Sequence, residues 1–394
     1  MCDDLYRRWG LRRLLNASGN LTINTASPVP PALRQVADWA LARSFVLAEL
    51  HERAGPVIAR ATGAESGCIT ACSAAGITLA VAACMAGADE ARVRQLPDTG
   101  GMKNEIVLMT GHFVSYGQEV TQAVRLAGGT VVAAGTPARS LRPVSGASCN
   151  ASHLESVITE QTAAGLFVAS WHSQQDGLLD LPTFAAICHG RGVPVVVDAA
   201  AEADLHRFHR DGADLVIQSG HKFLAAPTSG VVSGRADLIR AVLAHQAAGI
   251  GRAMKVGKEG ILGALAALER WQTQDTAAVR QTLLDRLAIA EQAFAGRPGV
   301  TTRVGADPTG NPWPDLEVHF DQAATGVDAR ALAAALYAGD PAVAVRAMPT
   351  AGNYLFIDPR ALNDDEMAEM CAIILRRVET MGASDTAAGR AVAG

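Results

Sequence analysis

The feature that most constrains this chain is a series of short runs in which nearly every residue is apolar, separated by stretches with helical spacing. The runs are "NEIVLMT" (104–110), "TVVAA" (130–134), "GLFVASW" (165–171), "VPVVVDAA" (193–200), "DLVIQS" (214–219) and "GVVSG" (230–234). Helical segments such as "GQEVTQAVRLAGG", "SHLESVITEQT" and "LPTFAAICHGRG" separate most of them. A strand wetted on one face alternates apolar and polar residues, so runs without alternation need cover on both faces. Strands joined through helices pair in parallel. The reading is an α/β fold with a mainly parallel sheet. It is preceded by a short strand, "GCIT", and a nearly all-apolar helix, "AAGITLAVAACMAG", that Gly87 ends.

Beyond the sheet the pattern changes. Two long helical stretches, "VGKEGILGALAALERWQ" and "TAAVRQTLLDRLAIAEQAFAG", lead into short runs, "VTTRVG", "DLEVHF", "AVAVRAM" and "NYLFID", that suit an antiparallel sheet in a small α+β domain. We expect an N-terminal segment over residues 1–50 packing on a dimer or active-site surface, and a large ligand-carrying domain over 51–270. A small C-terminal domain over 271–382 and a disordered tail over 383–394 complete the division.

Composition narrows the partners. A net charge of −5 is a poor basis for neutralising many phosphates, so no nucleic acid is expected. No run of about 18 apolar residues is present, and the start "MCDDLYRRWGLRRLL" lacks the apolar core of a secretion signal, so neither membrane nor export is expected. Seven cysteines at unpaired spacings read as reduced thiols in a cytoplasmic protein, with no metal site.

In open α/β sheets ligands bind at the carboxyl ends of the strands. Past "GCIT" a helix starts near Ser73 in "ACSAAG", where free backbone N–H groups and the helix dipole favour a phosphate. Past "NEIVLMT" comes His112, past "VPVVV" comes Asp198, and past "DLVIQS" comes Lys222. The chain has four lysines against 30 arginines, and lysine is seldom buried without a partner, so one at the end of a buried strand needs a reason. Taken singly these residues have ordinary explanations: Asp198 as a helix cap, His112 as a partly buried polar group, the helix start as close packing. Together, in this order, they form the set that holds pyridoxal 5′-phosphate. Lysine forms the Schiff base, the carboxylate keeps the ring nitrogen protonated and the imidazole can stack on the ring.

The chain resembles the fold-type I (aspartate aminotransferase-like) pyridoxal-phosphate enzymes. More closely, it resembles the selenocysteine synthase-like branch that includes L-seryl-tRNA selenium transferase and D-glucosaminate-6-phosphate ammonia-lyase. The match lies in "LNASGNLTIN" (15–24), "ELHERAGPVIARATGAESGCITACSAAGITLAVAACMAG" (49–87), "NEIVLMTGHFVSYG" (104–117), "GVPVVVDAAAEADL" (192–205), "GIGRAMKVGKEGILGALAALERW" (249–271) and "FIDPRAL" (356–362). "SGHK" is also similar to the lysine motif of cysteine desulfurases. The resemblance implies that Ser219 and His221 hold the cofactor phosphate with Ser73, Ala74 and Ala75. It also implies that His112 lies against the ring, with Ala200 beside Asp198. The chain departs from the branch at His221, where glycine is usual, at Glu202, where glutamine is usual, and in "SWHSQQDG" (170–177), so a different substrate is expected. It shows no separate RNA-binding domain, which disfavours the selenium transferase role.

Trp171 and His172 are expected near the substrate. Arg346 and Arg360 are candidates for its carboxylate, since a guanidinium can grip it with two hydrogen bonds. Arg252 and Lys255, with Lys258, form a basic cluster suited to an anion, unless Glu259 or another acid pairs with it. Lys222, Asp198 and His112 are the expected catalytic residues. The expected reaction passes through a carbanion at Cα of a small amino acid or amino-sugar acid, with Lys222 as the base. The favoured outcome is α,β-elimination of the ammonia-lyase or dehydratase type. Racemisation or epimerisation, retro-aldol cleavage and β-replacement remain open alternatives, as does a catalytically silent pyridoxal-phosphate-binding protein. A homodimer or larger homo-oligomer is expected.

Overall fold

A computed structural model describes residues 2–137, 146–170, 175–306, 311–347 and 352–392. The chain divides into two compact units, residues 29–273 and residues 1–28 with 274–394. The first strand, β1 (Leu14–Asn16), belongs to the second of these.

The unit of residues 29–273 is built on β2 (Ser66–Thr70), β3 (Glu105–Met109), β4 (Thr130–Ala134), β5 (Thr162–Val168), β6 (Val195–Asp198), β7 (Leu215–Ser219) and β8 (Gly230–Gly234). They form one seven-stranded sheet in the order β2-β8-β7-β6-β5-β3-β4. β3 to β7 pair in parallel, and β8 runs antiparallel to both β2 and β7. This is the mainly parallel sheet the sequence pattern requires. β5 to β8 are buried at every position, whereas β4, at the edge, is only partly covered.

Two apolar cores flank this sheet. One packs Ile77, Leu79 and Val81 against Leu108, Ile217 and Val232; the other packs Val107, Phe167, Val197 and Val216 on Phe184. The helix Ser73–Ala86 contacts β5, β6, β7 and β8 and also the helices Val120–Leu126 and Ala236–Ala248. That leaves it buried almost all round, which is why its sequence shows no polar face.

Parallel pairing brings the carboxyl ends of β3, β5, β6 and β7 to one edge. The end of β2 and the start of β8 join them, with Thr70 opposite Gly230. Backbone approaches backbone closely here: a Cβ at Gly230 would lie 2.4 Å from Thr70 Oγ1 and 2.5 Å from the carbonyl of Cys72. Only glycine fits there without displacing the start of the helix.

The other unit holds β9 (Val300–Ala306), β10 (Pro314–Phe320), β11 (Ala342–Ala344), β12 (Arg346–Ala347) and β13 (Tyr354–Ile357). The sheet β12-β13-β10-β9 is antiparallel throughout, as expected, and β1 pairs in parallel with β11. Leu316, Val318, Leu355 and Ile357 pack on Leu287 and Met370 from two long helices. The division therefore differs from the one read from sequence. Residues 1–28 go with the C-terminal unit because β1 is captured by β11, while residues 29–50 join the larger unit, where the helix Pro31–Leu41 packs on Lys258–Thr273. The last helix, Asp364–Val392, also continues into the stretch 383–394 that was expected to be disordered.

Candidate active site

The site is assembled from the segments that leave the strand ends of the larger unit. Cys72, in extended conformation, caps the helix Ser73–Ala86, its Sγ accepting from Ala75 N–H at 3.4 Å. Its carbonyl accepts from Gly76 N–H at 3.0 Å and from Thr70 Oγ1 at 2.9 Å. The N–H groups of Ser73 and Ala74 lie in the first helical turn and have no intrahelical acceptor. Two free donors at the positive end of a 14-residue helix suit a phosphate.

Asp198 ends β6, in register with Val168 of β5 and Ile217 of β7. It is 5 % exposed, and Oδ1 accepts from Ala200 N–H at 3.1 Å. Burial pushes its carboxyl above the usual range, against the opposing effects of the Ala200 hydrogen bond and the Lys222 charge. A buried carboxyl with a free lone pair is suited to a cationic N–H, such as that of a protonated pyridine. Ala200 thus orients the carboxylate through its backbone.

Lys222 lies in the turn after β7. Gly220 N–H donates to Ser229 O and Ala226 N–H to Gly220 O, both at 2.8 Å, closing the segment on the start of β8. A Cβ at Gly220 would meet Ser229 Oγ at 2.1 Å, so the closure depends on glycine. Burial pulls the Lys222 amine below its usual pKa, with Asp198 and then Glu202 acting in the other direction. No hydrogen bond or ion pair to Nζ occurs among the described residues. An amine that is largely covered, whose charged form burial disfavours and whose Nζ is unbonded among the described residues, is ready for covalent attachment to an aldehyde. Ser219 and His221 flank it, with Ser219 Oγ 3.4 Å from His221 Nδ1 and both side chains buried.

His112 reaches the same edge at the end of the turn Thr110–His112 and is wholly buried. Its Nδ1 accepts from Val168 N–H at 3.2 Å, and its ring meets Phe167 edge-on at 4.6 Å. Burial lowers its pKa to about 4, with the Gln175 side chain opposing, so the ring is uncharged at neutral pH. Tyr116, on the loop after β3, was missed by the sequence reading. Burial raises its phenol pKa, and Asp198 and Cys72 raise it further, which puts it in electrostatic reach of both. Nothing periodic marks a loop tyrosine of this kind.

The expected substrate residues are less concentrated. Trp171 and His172 fall outside the described residues. Arg346 and Arg360 belong to the other unit, where Arg346 lies over the Phe356 ring at 4.1 Å. Arg360 is engaged by a near neighbour in its own segment. Its Nε donates to both oxygens of Asp358, at 2.9 and 3.1 Å, and its Nη2 donates to Oδ2. Burial pushes the Asp358 carboxyl up, but the charges of Arg360 and Arg346 and the Arg360 hydrogen bonds carry it below its usual range. A guanidinium engaged in this way forms an ion pair within its own unit. In the basic cluster, Lys258 Nζ donates to Leu41 O at 3.1 Å and to Arg43 O, at the carbonyl end of a helix. Arg252 and Lys255 are exposed.

A cavity of about 920 Å³ lies elsewhere, between Lys103, Gln161 and Arg191 by the amino ends of β3 and β5. Among the described residues no group of histidine, cysteine and acidic side chains is placed to hold a metal ion, and no helix is long and apolar enough to cross a membrane.

The Aminotransferase class-V family matches residues 130–257, the stretch containing Asp198 and Lys222. The chain is 37% identical over 376 residues to the D-glucosaminate-6-phosphate ammonia lyase of Salmonella typhimurium, covering 94% of this chain and 97% of that one. It is also 37% identical over 380 residues to the 5′-C-glycyluridine monooxygenase-decarboxylase of a Streptomyces species, covering 95% and 91%. A solved structure of D-glucosaminate-6-phosphate ammonia-lyase superposes with a TM-score of 0.86 at 36% identity, over 96% of this chain and 98% of that one.

Proposed function

The chain belongs to the fold-type I pyridoxal-phosphate enzyme family that includes D-glucosaminate-6-phosphate ammonia-lyase, and we propose that it eliminates ammonia from a 2-amino-3-hydroxy acid with a sugar-derived carbon chain. Its cofactor is pyridoxal 5′-phosphate. The observation that carries the reading is the buried, unbonded Lys222 amine within the influence of the buried Asp198, at the edge where the phosphate-binding helix begins.

The cofactor, when bound, supplies a sink for the electron pair left as a bond to Cα breaks. Lys222 Nζ would hold it covalently and would be the base that takes the proton from substrate Cα. Asp198 keeps a proton on its ring nitrogen. Ser73 and Ala74 N–H, with Ser219 and His221, hold its phosphate, and His112 offers an uncharged ring alongside. We place a distal substrate anion at Arg252 and Lys255. The net change, a 2-amino-3-hydroxy acid to a 2-keto-3-deoxy acid and ammonia, needs no oxidant and balances without a co-reactant.

The second relative favours one further reading. Its name denotes an oxygenase-decarboxylase, and both relatives' names describe an amino group and a sugar skeleton in one molecule. The chain is assigned to the cytoplasm, a reading supported by six free thiols among its described cysteines. A homodimer is supported by the exposed Trp39, Leu41, Val46 and Leu47.

The test is incubation of holoprotein with D-glucosaminate 6-phosphate and a panel of β-hydroxy amino acids in deuterated water. Keto acid and ammonia in equal amounts are expected. Oxygen uptake with carbon dioxide release identifies the oxidative reading instead. Deuterium at Cα with inversion identifies a racemase, and glycine with an aldehyde identifies aldol cleavage.

A further inference from the structure

A buried imidazole that the reaction does not use lies in the last turn of the helix Ala236–Ala248. His245 is 0 % exposed, and neither ring nitrogen has a hydrogen-bond partner among the described residues. The segment that follows rests on it. Gly249 N–H donates to His245 O at 3.1 Å and Arg252 N–H donates to Gly249 O at 3.0 Å, which starts the turn Ile250–Met254. A Cβ at Gly249 would lie 3.0 Å from His245 Nδ1, and one at Gly251 would lie 2.8 Å from His245 O and 2.6 Å from Leu79 Cδ2. Two close approaches that favour glycine thus seat the turn on His245 and on the phosphate-binding helix. Gly249 also lines a cavity of about 370 Å³ with Val93, Leu96 and Ile250, so a small movement of the turn brings water to the ring.

We propose that His245 is an acid-sensitive latch on the turn Ile250–Met254, which carries Arg252 and leads to Lys255: the neutral ring lets the turn close on the helices, and the protonated ring opens it. The elements packed on its helix are the helix Ser73–Ala86, the turn itself, β2, β8 and the helix Glu90–Gln95. Their titratable and charged groups are Cys84, Arg252, Cys68, Glu90, Arg92 and Arg94; β8 has none, and the helix of His245 adds Asp237 and Arg240. Both thiols are pushed up to about 12, chiefly by burial, and are uncharged at neutral pH. None of these groups shifts the His245 pKa. Burial pulls it below its usual range, and the backbone of Gly87 and of Ala82 acts in the other direction. A charge on the enclosed ring therefore has no anion to pair with, and burying an unpaired charge is costly. Wetted in the open turn, the ring takes up its proton at the ordinary value of about 6.5. A base held neutral by burial stabilises the closed form above that value, and the stabilisation is lost as pH falls below it. The latch would also release an anion held by Arg252 and Lys255, and this consequence alone rests on the reading above.

The test is hydrogen exchange of the holoprotein at pH ~7.5 and ~5.5, corrected for the intrinsic chemical rate, in wild type, His245→Gln and His245→Leu. Peptides covering residues 249–255 are compared with peptides from β6 and β7. In wild type, protection of 249–255 is expected to fall by up to about tenfold at the lower pH, the limit for one proton taken up one unit below its ordinary pKa, with the strands unchanged. Neither variant can take up that proton, so each is expected to keep the same protection at both values. If the glutamine variant fails to fold, the leucine variant supplies the comparison. Unchanged protection in wild type overturns the proposal whatever the variants do. A fall in a variant that matches wild type, or a fall shared by β6 and β7, places the acid sensitivity elsewhere and overturns it too.

Discussion

Lys222→Ala is expected to reduce turnover by at least about 10³-fold, because it removes both the point of attachment and the base that takes the Cα proton. The variant should still bind pyridoxal 5′-phosphate, noncovalently. The free N–H groups of Ser73 and Ala74, the Asp198 carboxylate and the Ser219–His221 pair do not depend on the amine. No hydrogen bond to Nζ occurs among the described residues, so the change leaves no hydrogen-bond partner unsatisfied there. Cofactor binding measured by fluorescence, together with turnover on the substrate found in the panel, checks both halves. Retained binding with lost turnover is the expected pair. Retained turnover would remove Lys222 from the mechanism.

Asp198→Asn is expected to lower turnover about 10²- to 10³-fold, the scale seen when one preorganised electrostatic partner is lost from a buried site. Asparagine keeps the shape, and its side-chain oxygen can still accept from Ala200 N–H. What disappears is the charge that keeps the ring nitrogen protonated. The same change removes the larger of the two influences that raise the Lys222 pKa, so the Lys222-linked absorbance should titrate at lower pH than in wild type. Steady-state kinetics and a pH titration of the spectrum test the two consequences. Wild-type kcat in the asparagine variant would exclude Asp198 as the ring-nitrogen partner.

The residues whose positions were legible in the sequence sit where local chain signals are strongest. Asp198 and Lys222 each follow a run of buried strand residues, and Ser73 opens an apolar helix. Position at a strand end or helix start already says which way such a residue faces. Relations between distant segments were not legible. β1 pairs with β11, more than 300 residues away, and carries residues 1–28 into the C-terminal unit, a partnership no local period announces. Arg360 was read as open to a ligand because spacing cannot show that Asp358 folds back on it across one proline. Lys258 was grouped with Arg252 and Lys255 by proximity in sequence, but the carbonyls that accept its hydrogen bonds come from the end of the helix Pro31–Leu41 and the turn after it. Tyr116 lies in an irregular loop, where orientation follows from the whole edge of the sheet and not from its neighbours. Glu202 was noticed only as a departure from the family. Its burial depends on a turn held by β7.

The most direct measurement is reduction of the native holoprotein with borohydride, followed by digestion and mass determination of the peptides. A pyridoxyl group on the ε-nitrogen of Lys222, and on no other residue, is the predicted result. Label on Lys103, Lys255 or Lys258, or no label in protein shown to contain the cofactor, would contradict the account.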